Sequence, residues 1–113
     1  MIHREDLAAL YRAAAESSLA GEVFNAVDGA HATVWQCAEA ASTAVTGTAK
    51  VVSTPVEEGR RVMGPMADCL VLNQRLDASK AVQMLGWRPR HPSFTAGAAR
   101  HYRAWKAAGR TTS

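Results

Sequence analysis

Apolar residues in this chain recur mainly at helical spacing, which predicts several amphipathic helices. The first stripe consists of Leu7, Leu10, Tyr11 and Ala14. Glu5 and Asp6 precede it and suit the positive end of a helix dipole, so a helix should begin near them. The second stripe consists of Val34, Cys37, Ala38, Ala41 and Val45. Gly21 separates the two predicted helices.

Capping residues indicate where the middle helices begin and end. Residues 33–36 and 54–57 both match the S/T-x-x-E/Q capping box, in which two side chains satisfy free backbone N–H groups. We expect the first of these helices to end at Gly47. In the second box, Pro55 occupies the favoured first helical position. That helix should be short and end near Gly64.

Residues 77–89, D-A-S-K-A-V-Q-M-L-G-W-R-P, describe a complete short helix. Asp77 can accept a hydrogen bond from a free backbone N–H, and Gly86 can adopt the left-handed conformation that ends a helix. Pro89 prevents the helix from resuming, and Trp87 should fold back over its end. A last helix should open at Pro92-Ser93, with an inward face of Phe94, Ala98, Tyr102 and Trp105.

Three segments predict short strands between the helices. Residues 22–27 alternate in polarity, and residues 50–53 form a second short apolar run. Residues 69–72 fit either a strand or a helix end. Ile2 suggests the end of a further strand. We therefore predict an α/β fold, mostly helical with two or three short strands, whose strands need additional partners to form a stable sheet.

The segment 77–89 resembles a D-x-S/x-K-A-x-x-x-L-G-W-x-P stretch of a known enzyme family. This is the group of atypical or extended short-chain dehydrogenase/reductases, the NAD(P)-dependent epimerase/dehydratases. Residues 2–8, I-H-R-E-D-L-A, resemble the family's V-H-x-x-D-x-A stretch. Residues 21–25, G-E-V-F-N, resemble its G-x-x-F/Y-N strand. The likeness extends over roughly residues 2–107 and implies the C-terminal, substrate-binding lobe of such an enzyme.

The family binds NAD or NADP on an N-terminal Rossmann domain through a glycine-rich loop. The eight glycines of this chain do not have G-x-G-x-x-G spacing. The resemblance therefore implies a single partial domain, 1–113, without cofactor-binding residues. Within it, residues 1–20 resemble the end of a Rossmann core, and residues 108–113 should form a frayed tail. The lobe should be inactive alone, with NAD or NADP bound only in a full-length relative.

The resemblance also supplies the candidate substrate-pocket residues His3, Arg61 and Arg75. His3 corresponds to the family's V-H element near the substrate cleft, and the alternative is a helix-entry histidine bonded to backbone. The guanidinium groups of Arg61 and Arg75 can bind phosphate or carboxylate, or can be ordinary surface charges. Tyr102 and Lys106 have Tyr-x-x-x-Lys spacing, but they lie where the family does not place its catalytic pair. We therefore predict no catalytic residue.

Charge and residue counts leave a second function open. Residues 1–77 contain six Lys/Arg and all ten acidic residues, whereas residues 78–113 contain seven Lys/Arg and no acid. The alternative to a substrate-binding lobe is a stand-alone helical interaction module whose basic C-terminal face binds an acidic partner. For the lobe, the expected partners are a small-molecule substrate and a Rossmann domain or a second copy. A solvated face also explains the charge, so we do not expect nucleic-acid binding.

The remaining composition predicts a cytoplasmic protein without a metal site. The four histidines show no paired spacing on a helix face, and the two cysteines do not form a Cys-x-x-Cys motif. We expect both cysteines to be reduced and packed as small hydrophobic residues. The charged N-terminal residues do not resemble a signal peptide, and we expect no membrane association.

Overall fold

The computed structural model describes residues 1–109, which form six α-helices joined by extended loops. The helices are α1 (Arg4–Glu16), α2 (Val34–Thr46), α3 (Val56–Met63), α4 (Met66–Leu70), α5 (Ser79–Leu85) and α6 (Phe94–Ala107). Residues 110–113, most of the tail that was predicted to fray, lie outside the described residues.

Most helix ends follow the local signals in the sequence. Thr33 and Gln36 form both hydrogen bonds of the capping box at the start of α2, and Gly47 ends that helix in the left-handed conformation. Gly86 ends α5 in the same way, with φ of 65°. Asp77 accepts the backbone N–H of Ser79 at 2.8 Å, as predicted, although it lies one residue before the N-cap position of α5.

The capping box predicted at residues 54–57 is wrong. α3 begins at Val56, so Pro55 is the N-cap rather than the first helical residue, and it has an extended ψ of 147°. Because this start lies one residue later, Thr54 falls outside the capping position. No side chain caps the helix. The end predicted near Gly64 is confirmed.

The prediction of an α/β fold is also wrong, because residues 1–109 contain helices and no strand. Residues 22–27 and 50–53 are extended, and residues 69–72 contain the end of α4. One backbone hydrogen bond, from the N–H of Asp28 to the carbonyl of Met1 at 2.8 Å, links the N-terminus to the first segment. A single bond does not make a ladder, and Val52 in the second segment is 84% exposed.

The helices pack as three pairs, and one of these pairs contains a small core. α1 contacts α5, α2 packs along α6, and α3 packs on α4. The core lies between α1, α5 and the extended segment 24–27. Its buried members are Leu10, Val27, Ala78, Ala81 and Trp87. Tyr11 departs from its predicted inward stripe and is 72% exposed.

The α3–α4 pair presents apolar side chains to solvent. Its exposed members include Val62, Met63, Met66 and Leu70. Cys69 is exposed and Cys37 is half-buried, so the expectation that both cysteines pack in the core is wrong for Cys69. The radius of gyration is 16.8 Å, whereas a compact chain of this length should have about 13 Å. The helices therefore leave more surface uncovered than an ordinary single domain.

Among the described residues, no helix combines the length and the apolar character that crossing a bilayer requires.

Candidate functional site

Asp6 connects the first helix to the loop that follows α5. Its side chain is buried, with 2% of the residue exposed. The carboxylate accepts the backbone N–H groups of Arg90 and His91 at 2.8 and 2.9 Å. The carbonyl of Asp6 accepts the indole N–H of Trp87 at 3.0 Å. Together these bonds fix the loop 87–91 against the N-terminal end of α1.

A groove of about 770 Å³ lies beside this connection, between the N-terminal segment and α6. Apolar side chains from both elements form part of its wall, including Ile2, Phe94 and Trp105. Two arginines and three histidines line it together with only two acids, Glu5 and Asp28. The groove therefore combines an apolar wall with an excess of groups that donate hydrogen bonds or carry positive charge.

The three histidines of the groove form one cluster. His3 is the N-cap of α1, His91 lies on the loop held by Asp6, and His101 lies on α6. The ring centroid of His3 is 3.9 Å from that of His91 and 4.7 Å from that of His101. All three side chains are half-buried. Tertiary packing thus brings together residues that are far apart in sequence.

Neighbouring groups orient the His91 ring from both sides. Nε2 is 3.0 Å from the carboxylate of Glu5, and Nδ1 is 3.2 Å from a guanidinium nitrogen of Arg100. Arginine can only donate, so Nδ1 accepts and Nε2 carries the proton that Glu5 accepts. The hydrogen bond from His91 is the largest cause that holds the pKa of Glu5 below its ordinary value.

The surroundings of His101 lower its pKa. Burial is the main cause that lowers its pKa, and the nearby charges of His3, Arg100 and His91 lower it further. Gly97 leaves room for this ring, because a Cβ atom at Gly97 would lie 2.9 Å from Nε2 of His101. The imidazole is therefore held in its neutral form to a lower pH than a free histidine.

The predicted pocket residues do not share one site. His3 lies in the groove, and its Nδ1 accepts the backbone N–H of Glu5 at 3.2 Å, which also fits the alternative of a helix-entry histidine. Arg61 lies on α3, pairs with Glu58 and is 74% exposed in its side chain. Arg75 is an exposed loop residue. Among the described residues, the groove is lined by Arg4 and Arg100 instead.

The other residues singled out by the resemblance have structural contacts. Lys80 bonds to the Glu22 carboxylate at 2.7 Å and to the carbonyl of Val23 at 3.0 Å, which ties α5 to the extended segment. Tyr102 stacks on Trp105 with ring centroids 5.8 Å apart. The exposed ammonium of Lys106 lies 5.9 Å from the Tyr102 ring. These contacts give Tyr102 a packing role.

Few features of the sequence indicate the histidine cluster. His91 and His101 are ten residues apart, which places them on no common helix face, and His3 is at the opposite end of the chain. The only local signal is Gly97, one helical turn before His101. A glycine inside a helix costs stability, so it often marks a close approach of another group.

The chain was compared with protein families, with curated proteins and with solved structures, and it matches none of them.

Proposed function

We propose that this chain is the substrate-binding lobe of an NAD(P)-dependent oxidoreductase similar to the epimerase/dehydratases. Its role would be to hold a substrate in the groove beside a nicotinamide bound to a separate Rossmann domain. The observation that carries this is the docking of Trp87, from the Leu-Gly-Trp motif, on Asp6 of the His-Arg-Glu-Asp motif. Two segments that each resemble the family thus lie against each other beside the groove.

A third matched segment joins the same assembly. Lys80 bonds to residues of the 21–25 segment, and the side-chain amide of Asn25 donates to the carbonyl of Asp77 at 3.2 Å. A chance likeness in three short motifs would not require these motifs to contact one another. The contacts therefore support a common origin of the segments as one structural unit.

The groove favours an anionic substrate. Arg4 and Arg100 line it, the histidine rings add N–H groups, and arginine forms paired hydrogen bonds with phosphate and carboxylate. The apolar wall formed by Phe94 and Trp105 suits a ring or another flat group. A sugar nucleotide or a small carbonyl compound with a carboxylate has this combination of groups.

The exposed α3–α4 surface is consistent with a lobe that needs a second domain. Its uncovered methionine and valine side chains would be costly in an independent protein and useful at an interface with a Rossmann domain. An independent interaction module, the alternative function, should instead melt cooperatively as a monomer. Its basic face would include Arg103 and Lys106, which are exposed on α6.

Ligand titrations monitored by backbone amide resonances test the substrate-binding role. UDP-glucose should shift amides of residues 2–5 and 91–105, and NADPH should leave the spectrum unchanged. Arg100→Gln should weaken the response to UDP-glucose, whereas Arg61→Gln, on an exposed face of α3, serves as the matched control. NADPH binding at micromolar concentration would contradict the proposed division between lobe and cofactor domain. A response to neither UDP-glucose nor a small keto acid would contradict substrate binding.

A further inference from the structure

We infer that His3, His91 and His101 form a binding site for a divalent transition metal ion, with zinc as the best fit. Each residue offers one ring nitrogen, and these three atoms all lie within 4.8 Å of one another. A tetrahedral zinc site with Zn–N bonds of 2.0–2.1 Å places its ligand nitrogens about 3.3 Å apart. The ring nitrogens therefore have to approach one another by up to about 1.5 Å, which calls for rotation of the rings about their side-chain bonds.

The backbone positions of the three ligands are set independently of any metal. His3 begins α1, the Asp6 carboxylate holds the backbone of His91, and His101 is part of α6. The folded chain therefore already holds the backbone of the three ligand residues in place before a metal binds. A site of this kind loses less conformational entropy on binding than one assembled from mobile loops.

Glu5 and His91 already have the arrangement that commonly supports a metal-bound histidine. In such sites the ligand donates its second ring N–H to a carboxylate, which fixes the ring and increases its basicity. Here Nε2 of His91 donates to Glu5, which leaves Nδ1 as the ligand atom.

Two existing hydrogen bonds must be given up when the metal binds. Arg100 donates to Nδ1 of His91, and its positive charge also opposes a cation at this position. The backbone N–H of Glu5 donates to Nδ1 of His3, and the ring cannot keep that bond once it is a ligand, whichever nitrogen binds. Both bonds are 3.2 Å long and each has an exposed partner, Arg100 or Glu5, so their loss costs little.

Three histidines leave a fourth zinc position for another ligand. The cluster lines the open groove, so this position would be filled by water or by an oxygen of a bound anion. Metal binding therefore does not require the substrate proposed above, and it can be measured without a nucleotide or a cofactor.

Calorimetric titration of the tag-free chain with Zn²⁺ provides the first test. We expect one ion per chain and a higher melting temperature, since a ligand that binds only the folded state stabilises it. His91→Gln and His101→Gln should each weaken binding by more than the ~10–100-fold that loss of an outer partner usually causes. His3→Asn should do the same while its side chain still caps α1.

The fourth histidine supplies the matched control. His31 is exposed, has a left-handed φ of 52° that asparagine tolerates, and is not part of the cluster. His31→Asn should leave Zn²⁺ affinity unchanged. Cys69→Ser should also leave it unchanged, and Co²⁺ in place of Zn²⁺ should give visible absorption without a thiolate charge-transfer band. Binding that survives the cluster variants, or that requires Cys69, would overturn the assignment, as would the lack of stoichiometric binding.

Arg100→Gln separates a metal site from a purely structural cluster. Removing the guanidinium frees Nδ1 of His91 and removes a repulsive charge, so Zn²⁺ should bind this variant more tightly than it binds the unmodified chain. In addition, the Glu5 amide resonance should shift on Zn²⁺ addition because its hydrogen bond to His3 is lost. A structural role alone predicts neither result, and weaker Zn²⁺ binding by Arg100→Gln would contradict the site.

Discussion

The indole N–H of Trp87 donates to the backbone carbonyl of Asp6 across 81 positions of sequence. Both residues are buried, at 5% and 2% exposed. The carboxylate of Asp6 also accepts the backbone N–H groups of Arg90 and His91. This one contact region therefore joins α1 to the end of α5 and sets the distance between His3 and His91.

Replacing Asp6 by asparagine should destabilise the chain. One of the two backbone N–H groups, of Arg90 or His91, would then face an amide NH₂ in place of an acceptor oxygen. An unsatisfied buried donor costs about 1–3 kcal/mol, which should appear as a lower urea midpoint. The control is Glu16→Gln, which affects an exposed pair with Arg12 and should change stability by less than about 1 kcal/mol. Equal midpoints for the two variants would contradict the anchoring role of Asp6.

Trp87→Phe should separate the indole hydrogen bond from aromatic packing. Phenylalanine keeps most of the buried apolar surface but loses the donor to Asp6, so we expect a loss of about 0.5–1.5 kcal/mol. Trp87→Ala should cost about 3–5 kcal/mol, since it also leaves a cavity in the small core. The matched control is Trp35→Phe, because Trp35 is 49% exposed. Denaturant unfolding compares the three, and a Trp87→Phe variant as stable as the unmodified chain would contradict a contribution from the bond.

Gly97→Ala should disturb the histidine cluster more than the helix. The new Cβ would lie 2.9 Å from Nε2 of His101 and displace the ring. Alanine favours the helix by about 1 kcal/mol relative to glycine, which offsets part of the cost. We expect altered His101 ring resonances and weaker Zn²⁺ binding, with a nearly unchanged melting temperature.

Gly59→Ala is the corresponding control on α3. Its Cβ would meet Ala67 at an ordinary contact distance of 3.4 Å, so only the helix propensity should change. This variant should be slightly more stable and should leave the His101 resonances in place. Ring resonances that respond equally to both substitutions would argue against the close approach at Gly97.

Stability should decrease on acidification through the range in which His101 titrates. Because its pKa in the folded chain is lowered by burial and by His3, Arg100 and His91, the unfolded chain binds this proton more readily. The contribution is complete above the ordinary histidine pKa of about 6.5 and is lost as pH falls through the lower, folded value. Urea unfolding at several pH values, with ring resonances recorded in parallel, measures the effect.

His101→Gln provides the comparison for this pH dependence. Below pH ~6.5, the stability of this variant should decrease less than that of the unmodified chain. The Glu5 carboxylate, whose pKa is also lowered, affects stability only below its own ordinary value of about 4.5. A decline of the same size in both proteins would assign the pH dependence to other groups, and a His101 resonance that titrates above pH ~6.5 would contradict the burial effect.

Local signals in the sequence account for most helix ends. Thr33, Gly47, Gly86 and Ser93 act on backbone groups within four residues of themselves, so their effects are readable from local spacing. The error at Thr54 has a local cause too. A shift of one residue in the start of α3 moves every capping partner, and the S/T-x-x-E/Q pattern alone does not fix that start.

Long-range packing settles whether the extended segments form strands, and it also settles where the groove lies. Residues 22–27 have the alternation of a strand, but a strand requires a partner whose position no local pattern specifies. In the same way, the groove contains Arg4 and Arg100 rather than the predicted Arg61 and Arg75. The three histidines meet because Asp6 fixes one loop against α1 while α6 presents His101 beside it. Such contacts depend on long-range packing, and the spacing of residues along the chain does not specify them.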